Sequence, residues 1–335
     1  MSSPGSWSSS GDIAPAATRS AYELRPLSTG EVLDRTFQLY RSRFTLFAGL
    51  AALPAAFGTI IAAGRIGYLH HQGTHGPPGA IFSRAQIVGN GIYLLSLLLS
   101  VVPYGFIHAA ISWAVSALYL GEQASIKTAL AAAWPRWLRY VYVVLLQIWI
   151  AAWMPLVFAV AAISVLIPLH SSLTGKLVAG LLFSLAGLSL FYSIWAALRV
   201  SLSIPASVVE SLGPLASIRR SKKLLVDRKF RIFLLGLLLY ALYLVLGMMQ
   251  LPLVLLLVRA RGMEAFVTQA IILAISFLAG MLIAPVSSIG LTLFYFDERV
   301  RREGFDIEWM MQKLPFESSP SFPAYPEPPG PSAAF

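Results

Sequence analysis

Pro205-Ala-Ser-Val-Val-Glu-Ser-Leu-Gly-Pro-Leu-Ala-Ser-Ile-Arg-Arg-Ser-Lys-Lys-Leu-Leu-Val-Asp-Arg-Lys-Phe-Arg231 lies between two runs that are almost wholly apolar. It carries Arg219, Arg220, Lys222, Lys223, Arg228, Lys229 and Arg231, seven of the 25 Lys and Arg in the chain. Such a cluster cannot cross a hydrocarbon layer, so it sits on one face of a membrane and orients the runs on either side of it. Composition agrees. The 335 residues are 57% hydrophobic and 12% charged, far from the roughly 25% charged composition of soluble domains. The chain reads as an all-α, polytopic membrane protein.

The net charge of +10 lies beside apolar runs, which points to anionic lipid headgroups as partners and not to nucleic acid. The chain contains no cysteine, which excludes disulfides and thiolate chemistry. Met1 to Ser20 is rich in Ser, Gly, Pro and Ala and has no apolar core. It reads as a disordered tail and not a secretory signal.

Working outward, residues 1–26 form the N-terminal tail, 27–312 the membrane domain, and 313–335 a Pro-rich tail expected to be disordered or extended. Ser28 and Glu31 make a capping box that starts a helix. Leu33, Phe37, Tyr40, Phe44 and Phe47 then recur at helical spacing, as in a helix that lies in the interface before entering the bilayer. Six spans are predicted at about 44–63, 90–119, 140–167, 177–202, 232–258 and 266–296, with Gly64 to Ser83 as a loop. Gln86 to Tyr119 holds 34 uncharged residues, about 50 Å of helix against a core of about 30 Å, so span two tilts, kinks at Pro103 or projects. Pro214 begins a short helix with Leu215, Ile218, Leu224 and Leu225 as its apolar side; Leu215 and Ile218 are expected toward the bilayer. Gly304 follows the last helix as its C-terminal stop.

With both termini cytoplasmic, 20 Lys and Arg lie on the cytoplasmic side and five on the other, which is the asymmetry of an inside-positive topology. The expected location is a bacterial plasma (inner) membrane. Three segments repeat a theme. Thr29 to Phe44, Ser125 to Tyr140 and Ser217 to Ile232 each run from a hydroxyl residue through an amphipathic helix to a basic pair, and they start 96 and 92 residues apart. The even spans finish at Glu122, Glu210 and Asp297, spaced 88 and 87. This predicts three parallel two-span hairpins, each preceded by a cytoplasmic interfacial helix. The alternative is the ordinary alternation of charged flanks in any six-span protein.

Span two carries Ser96, Ser100, Tyr104, His108, Ser112 and Ser116 at every fourth position, a central polar stripe. Gly180 with Ser184, Ser189 with Ser193, and Ser276 with Gly280 are small pairs in spans four and six. Small residues four apart let helices approach closely, so the even helices are expected at the centre and the Leu-rich odd helices at the rim. The stripe is either a polar pathway or lipid cavity, or close packing with hydroxyls bonded to backbone carbonyls. No Asp, Glu or Lys lies deep in a span, which counts against an ion-coupled transporter. His70, His71, His75 and His170 fall on one side of the membrane and read as a solvated loop more readily than a metal site. Neither a catalytic triad order nor a phosphate-binding loop is present, and no cofactor is expected.

The stretches Leu24-Arg-Pro-Leu-Ser-Thr-Gly-Glu-Val-Leu-Asp34, Val209-Glu-Ser-Leu-Gly-Pro-Leu-Ala-Ser-Ile-Arg-Arg-Ser221 and Tyr295-Phe-Asp-Glu-Arg-Val-Arg-Arg-Glu-Gly-Phe-Asp306 resemble a bacterial family of six-span proteins. That family is named for the membrane domain attached to some glycerophosphodiester phosphodiesterases. The resemblance covers roughly Leu24 to Met311. It implies no phosphodiesterase activity here, because in fused members that activity resides in a separate soluble barrel with its own histidines and metal-binding carboxylates. The expected function is therefore non-enzymatic: a membrane scaffold whose interfacial helices bind anionic lipid or a protein partner. The alternatives are a passive carrier or flippase for a lipid or small amphiphile, and an accessory subunit of a phospholipid-degrading enzyme.

Overall fold

Among the described residues, six helices are long and apolar enough to cross a membrane, the element a lipid environment favours because a helix bonds its own backbone. The structure is a computed structural model that describes residues 26–71, 84–169, 172–226, 229–260 and 262–304. The terminal tails, apart from Pro26, lie outside the described residues. In chain order the described elements are α1 (Thr29–Ser42), α2 (Phe44–His71), α3 (Arg84–Tyr119), α4 (Ile126–Ala133), a 3₁₀ turn (Trp134–Arg136), α5 (Trp137–Leu169), α6 (Leu173–Val200), α7 (Ser203–Val209), α8 (Pro214–Leu224), α9 (Lys229–Arg259) and α10 (Gly262–Glu303).

The short helices start where their caps require. Ser28 Oγ accepts from Glu31 N at 3.2 Å while Glu31 Oε2 accepts from Ser28 N at 2.6 Å, the reciprocal pair expected of a capping box. Ser125 and Thr128 repeat the arrangement at the start of α4. Pro214 occupies the first turn of α8, where its missing N–H costs nothing. Gly304 adopts φ +64° just after α10, a left-handed stop that glycine takes without strain.

Three expectations are corrected. First, the segment after span one is helical through His71 and not a loop from Gly64. Arg65 explains it: its Nε donates to the Gly89 carbonyl of α3 at 3.1 Å, and its guanidinium lies 5.5 Å from the Tyr93 ring centroid. These ties offset the cost of about 1 kcal/mol that each of Gly64 and Gly67 adds to a helix. Second, span four, predicted to about residue 202 with its acidic flank at Glu210, is separated from that flank by a helix: the chain turns at Ser201 and Leu202 into α7, whose Ser203, Ile204, Pro205, Ala206 and Ser207 are buried. Third, Ile218 does not face outward. It is 4% exposed, beneath α8 with Ser217, Ser221 and Leu224, whereas Leu215 is 58% exposed.

The centre is α2, α3 and α10, not the three even spans. Gly280 of α10 sits so close to Ala55 of α2 that an added Cβ would meet it at 3.4 Å, which draws the first span inward. The fourth span, α6, runs along α5 and hardly touches α3 or α10. Its small residues explain the difference: Gly175, Ala179, Ser189 and Ala196 are buried, while Gly180 and Ser184 are exposed. Spacing alone says that a helix can be approached closely, not which helix does so. The α5–α6 hairpin joins the centre near the start of α5, where Gly105 of α3 lies against the Tyr140 backbone. Pro103 lies inside α3 without interrupting it.

Candidate functional site

The end of α10 carries Asp297 and Glu298, each 1% exposed. Buried carboxylates demand partners, and Arg231 at the start of α9 supplies them. Its Nη1 lies 2.7 Å from Asp297 Oδ2 and 3.1 Å from Glu298 Oε1, its Nη2 donates to the Leu27 carbonyl at 2.8 Å, and its Nε donates to Thr29 Oγ1 at 3.1 Å. Asp297 Oδ1 accepts from Leu27 N at 2.7 Å, and Arg301 approaches the same carboxylate at 3.1 Å. One guanidinium thus ties the starts of α1 and α9 to the end of α10.

A second cluster lies beside it. Arg220 of α8 contacts Glu210 Oε1 at 2.8 Å and donates two bonds to Glu303, at 2.5 and 2.6 Å. The Tyr295 hydroxyl donates a short bond to Glu210. Hydrogen bonding to Glu303, then to Glu210, pushes the Arg220 guanidinium above its ordinary range, so it stays charged. Arg139 completes this end: its Nη1 and Nη2 donate to the carbonyls of Ser211 at 2.8 Å and Ser207 at 3.1 Å, and Arg136 reaches Ser211 Oγ at 3.0 Å. Those bonds hold Ser211 at φ +53°, an uncommon conformation for a residue with a Cβ.

The seven basic residues of the 205–231 stretch therefore divide. Arg220 and Arg231 are engaged by carboxylates of their own chain. Arg219 and Lys223 are exposed and Lys222 is half-buried. Arg228 and the Lys229 side chain lie outside the described residues. His71 is exposed at the end of α2, and the His70 side chain, His75 and His170 lie outside the described residues as well.

The polar stripe of α3 also divides. The Ser96, Ser100 and Ser116 hydroxyls donate to the carbonyls of Tyr93, Leu97 and Ser112 at 2.6, 2.7 and 2.8 Å. Ser112 is fully buried and accepts from Thr292 of α10 at 3.1 Å. Tyr104 and His108, with ring centroids 5.5 Å apart, line with Ser100 a cleft of about 870 Å³ between α2, α3 and α10 on one side and α5 and α6 on the other. Gln147 of α5 lines it too, its Nε2 donating to the Val200 carbonyl at 2.7 Å. A second apolar hollow of about 740 Å³ separates α6 from α9 and shares Ala197, Ser201 and Leu291 with the first. The open flanks of α6 follow from its attachment to α5 alone along most of its length.

Sequence reasoning missed the roles of Asp297, Glu298 and Gln147. The first two were visible only as an acidic flank, and their pairing with Arg231 spans 66 and 67 residues. No family model, curated protein or solved structure matches the chain. The resemblance to the phosphodiesterase-linked membrane family gains no support from these comparisons; the six-helix membrane architecture stands without it.

Proposed function

We propose that the protein is a non-enzymatic, multi-pass membrane scaffold that grips anionic lipid through its basic end, with that end and both termini on the cytoplasmic face of a bacterial plasma membrane. One observation carries the reading: exposed apolar side chains and cations share the outer surface on or beside three short helices, α1, α4 and α8. Phe37 and Phe44 accompany Arg41 and Arg43; Ile126, Trp134 and Leu138 accompany Lys127; Leu215 and Val226 accompany Arg219 and Lys223. Such a surface suits the headgroup boundary, with rings and aliphatic groups among acyl chains and cations at phosphates. The units read as three parallel hairpins, each preceded by an interfacial helix. In support, Arg139 and Arg231, the second members of their basic pairs, reach residues 68 and 66 positions further on, at the exit of their own unit's second span.

The test is lipid retention by the full chain in detergent, read by native mass spectrometry with phosphatidylglycerol and phosphatidylcholine. Each cation near the surface contributes about 1 kcal/mol, so R219Q/K222Q/K223Q is expected to lose phosphatidylglycerol preferentially. Unchanged retention would contradict the reading. A second reading, a passive carrier for an amphiphile, is favoured by the cleft beside α3, whereas the paired arginines oppose opening at the basic end.

A further inference from the structure

The cleft is not simply an apolar gap. His108 is 5% exposed, lines it, and its Nδ1 has no hydrogen-bond partner. An unpaired buried ring nitrogen is costly, and a neutral imidazole has both a donor and an acceptor to satisfy. The Tyr104 ring stands beside it, four residues earlier on the same helix face. None of the residues lining the cleft is Asp, Glu, Lys or Arg. A phosphate, carboxylate or ammonium entering here would find no countercharge, and burying it unpaired is prohibitive. The rest of the lining is predominantly aliphatic, with Leu97, Leu98 and Ile148 exposed, so the space opens sideways between apolar helix faces, which face acyl chains when the helices span a bilayer. A volume of about 870 Å³ falls within the range of small-molecule sites, roughly 300–1,000 Å³.

We infer that this cleft binds an uncharged amphiphile, its apolar chain between α5–α6 and α2–α3–α10 and its hydroxyl or carbonyl head at His108 and Tyr104. The site is separate from the anionic-lipid surface at the basic end. A neutral glycerolipid and a quinone both offer this chemistry. A carbonyl head accepts from the Tyr104 hydroxyl or the imidazole N–H; a hydroxyl head also donates to the ring nitrogen that bears no proton.

Equilibrium binding to the full chain in detergent distinguishes these possibilities, with radiolabelled dioleoylglycerol, decylubiquinone and dioleoyl phosphatidic acid as probes. The last has the tails of the first and adds a charged phosphate. Saturable binding is expected for at least one neutral probe, and which one binds identifies the source. His108→Leu is expected to weaken that probe roughly threefold to tenfold, the worth of one hydrogen bond, and His108→Gln to recover part of the loss. Ala151→Trp, which fills the cleft from α5, should abolish binding, while R219Q/K222Q/K223Q should leave it unchanged even if phosphatidylglycerol is lost. Binding of neither neutral probe would overturn the inference. So would phosphatidic acid binding as tightly as dioleoylglycerol, or neutral binding indifferent to both His108→Leu and Ala151→Trp.

Discussion

Arg231 satisfies two buried carboxylates, a hydroxyl and a carbonyl at once, a geometry that suits a planar guanidinium and not an ammonium. Replacing it with Gln leaves Asp297 and Glu298 buried with their main cation gone. The expected loss is about 3–5 kcal/mol, read as a lower unfolding midpoint in detergent, and Arg231→Lys should recover little of it. Arg219→Gln, on the exposed face of α8, should change stability by less than about 0.5 kcal/mol. The contrast marks what one sequence permits at this scale. Arg219, Arg220 and Arg231 are equivalent in a count of charges near a span. What separates them is that Arg220 and Arg231 meet carboxylates while Arg219 lies exposed, and that is settled by helix packing. His108 was legible as one position of the polar stripe on span two, but its place at a cleft depends on α5, which no local pattern on α3 reveals.

At the scale of elements, boundaries governed by local chemistry were readable. The capping box at Ser28, Pro214 at the start of α8 and Gly304 after α10 each act through neighbours within one turn. Boundaries governed by distant partners were not: the last two turns of α2 depend on Arg65 meeting Gly89 and Tyr93. The orientation of α8 fails for the same reason, because Leu215 and Ile218 are equally apolar and only packing decides which is covered. The junction of α3 with α5 supplies a further prediction. At Gly105 an added Cβ would lie 3.2 Å from the Tyr140 carbonyl oxygen, and backbone cannot move aside as a flexible side chain does. Gly105→Val is therefore expected to cost about 1–3 kcal/mol, seen as earlier thermal unfolding and as exposure of the α5–α6 hairpin to limited proteolysis. Gly58→Val, where a Cβ meets nothing within 4 Å, serves as the control for helix propensity.

Across the whole molecule, the number of spans was legible because charge is so unevenly distributed along the chain: six long apolar runs alternate with charged segments. The arrangement of the runs was less so. Small residues on α6 pointed to a central helix, yet they pair it with α5, leaving hollows on both of its other sides. The result is an asymmetric bundle, cross-tied by arginines at one end and divided by a cleft further along. Its proposed role depends on the tied end facing anionic lipid, and hence on the sidedness of every connection. The chain has no cysteine, so single cysteines report position directly. Gly213→Cys and Gln123→Cys mark the basic end, and Thr174→Cys and Met263→Cys the other; all four positions are exposed. With a membrane-impermeant maleimide, Thr174→Cys and Met263→Cys are expected to label from outside intact cells, and Gly213→Cys and Gln123→Cys only in inverted vesicles. Labelling of Gly213→Cys and Thr174→Cys from the same side would contradict the account.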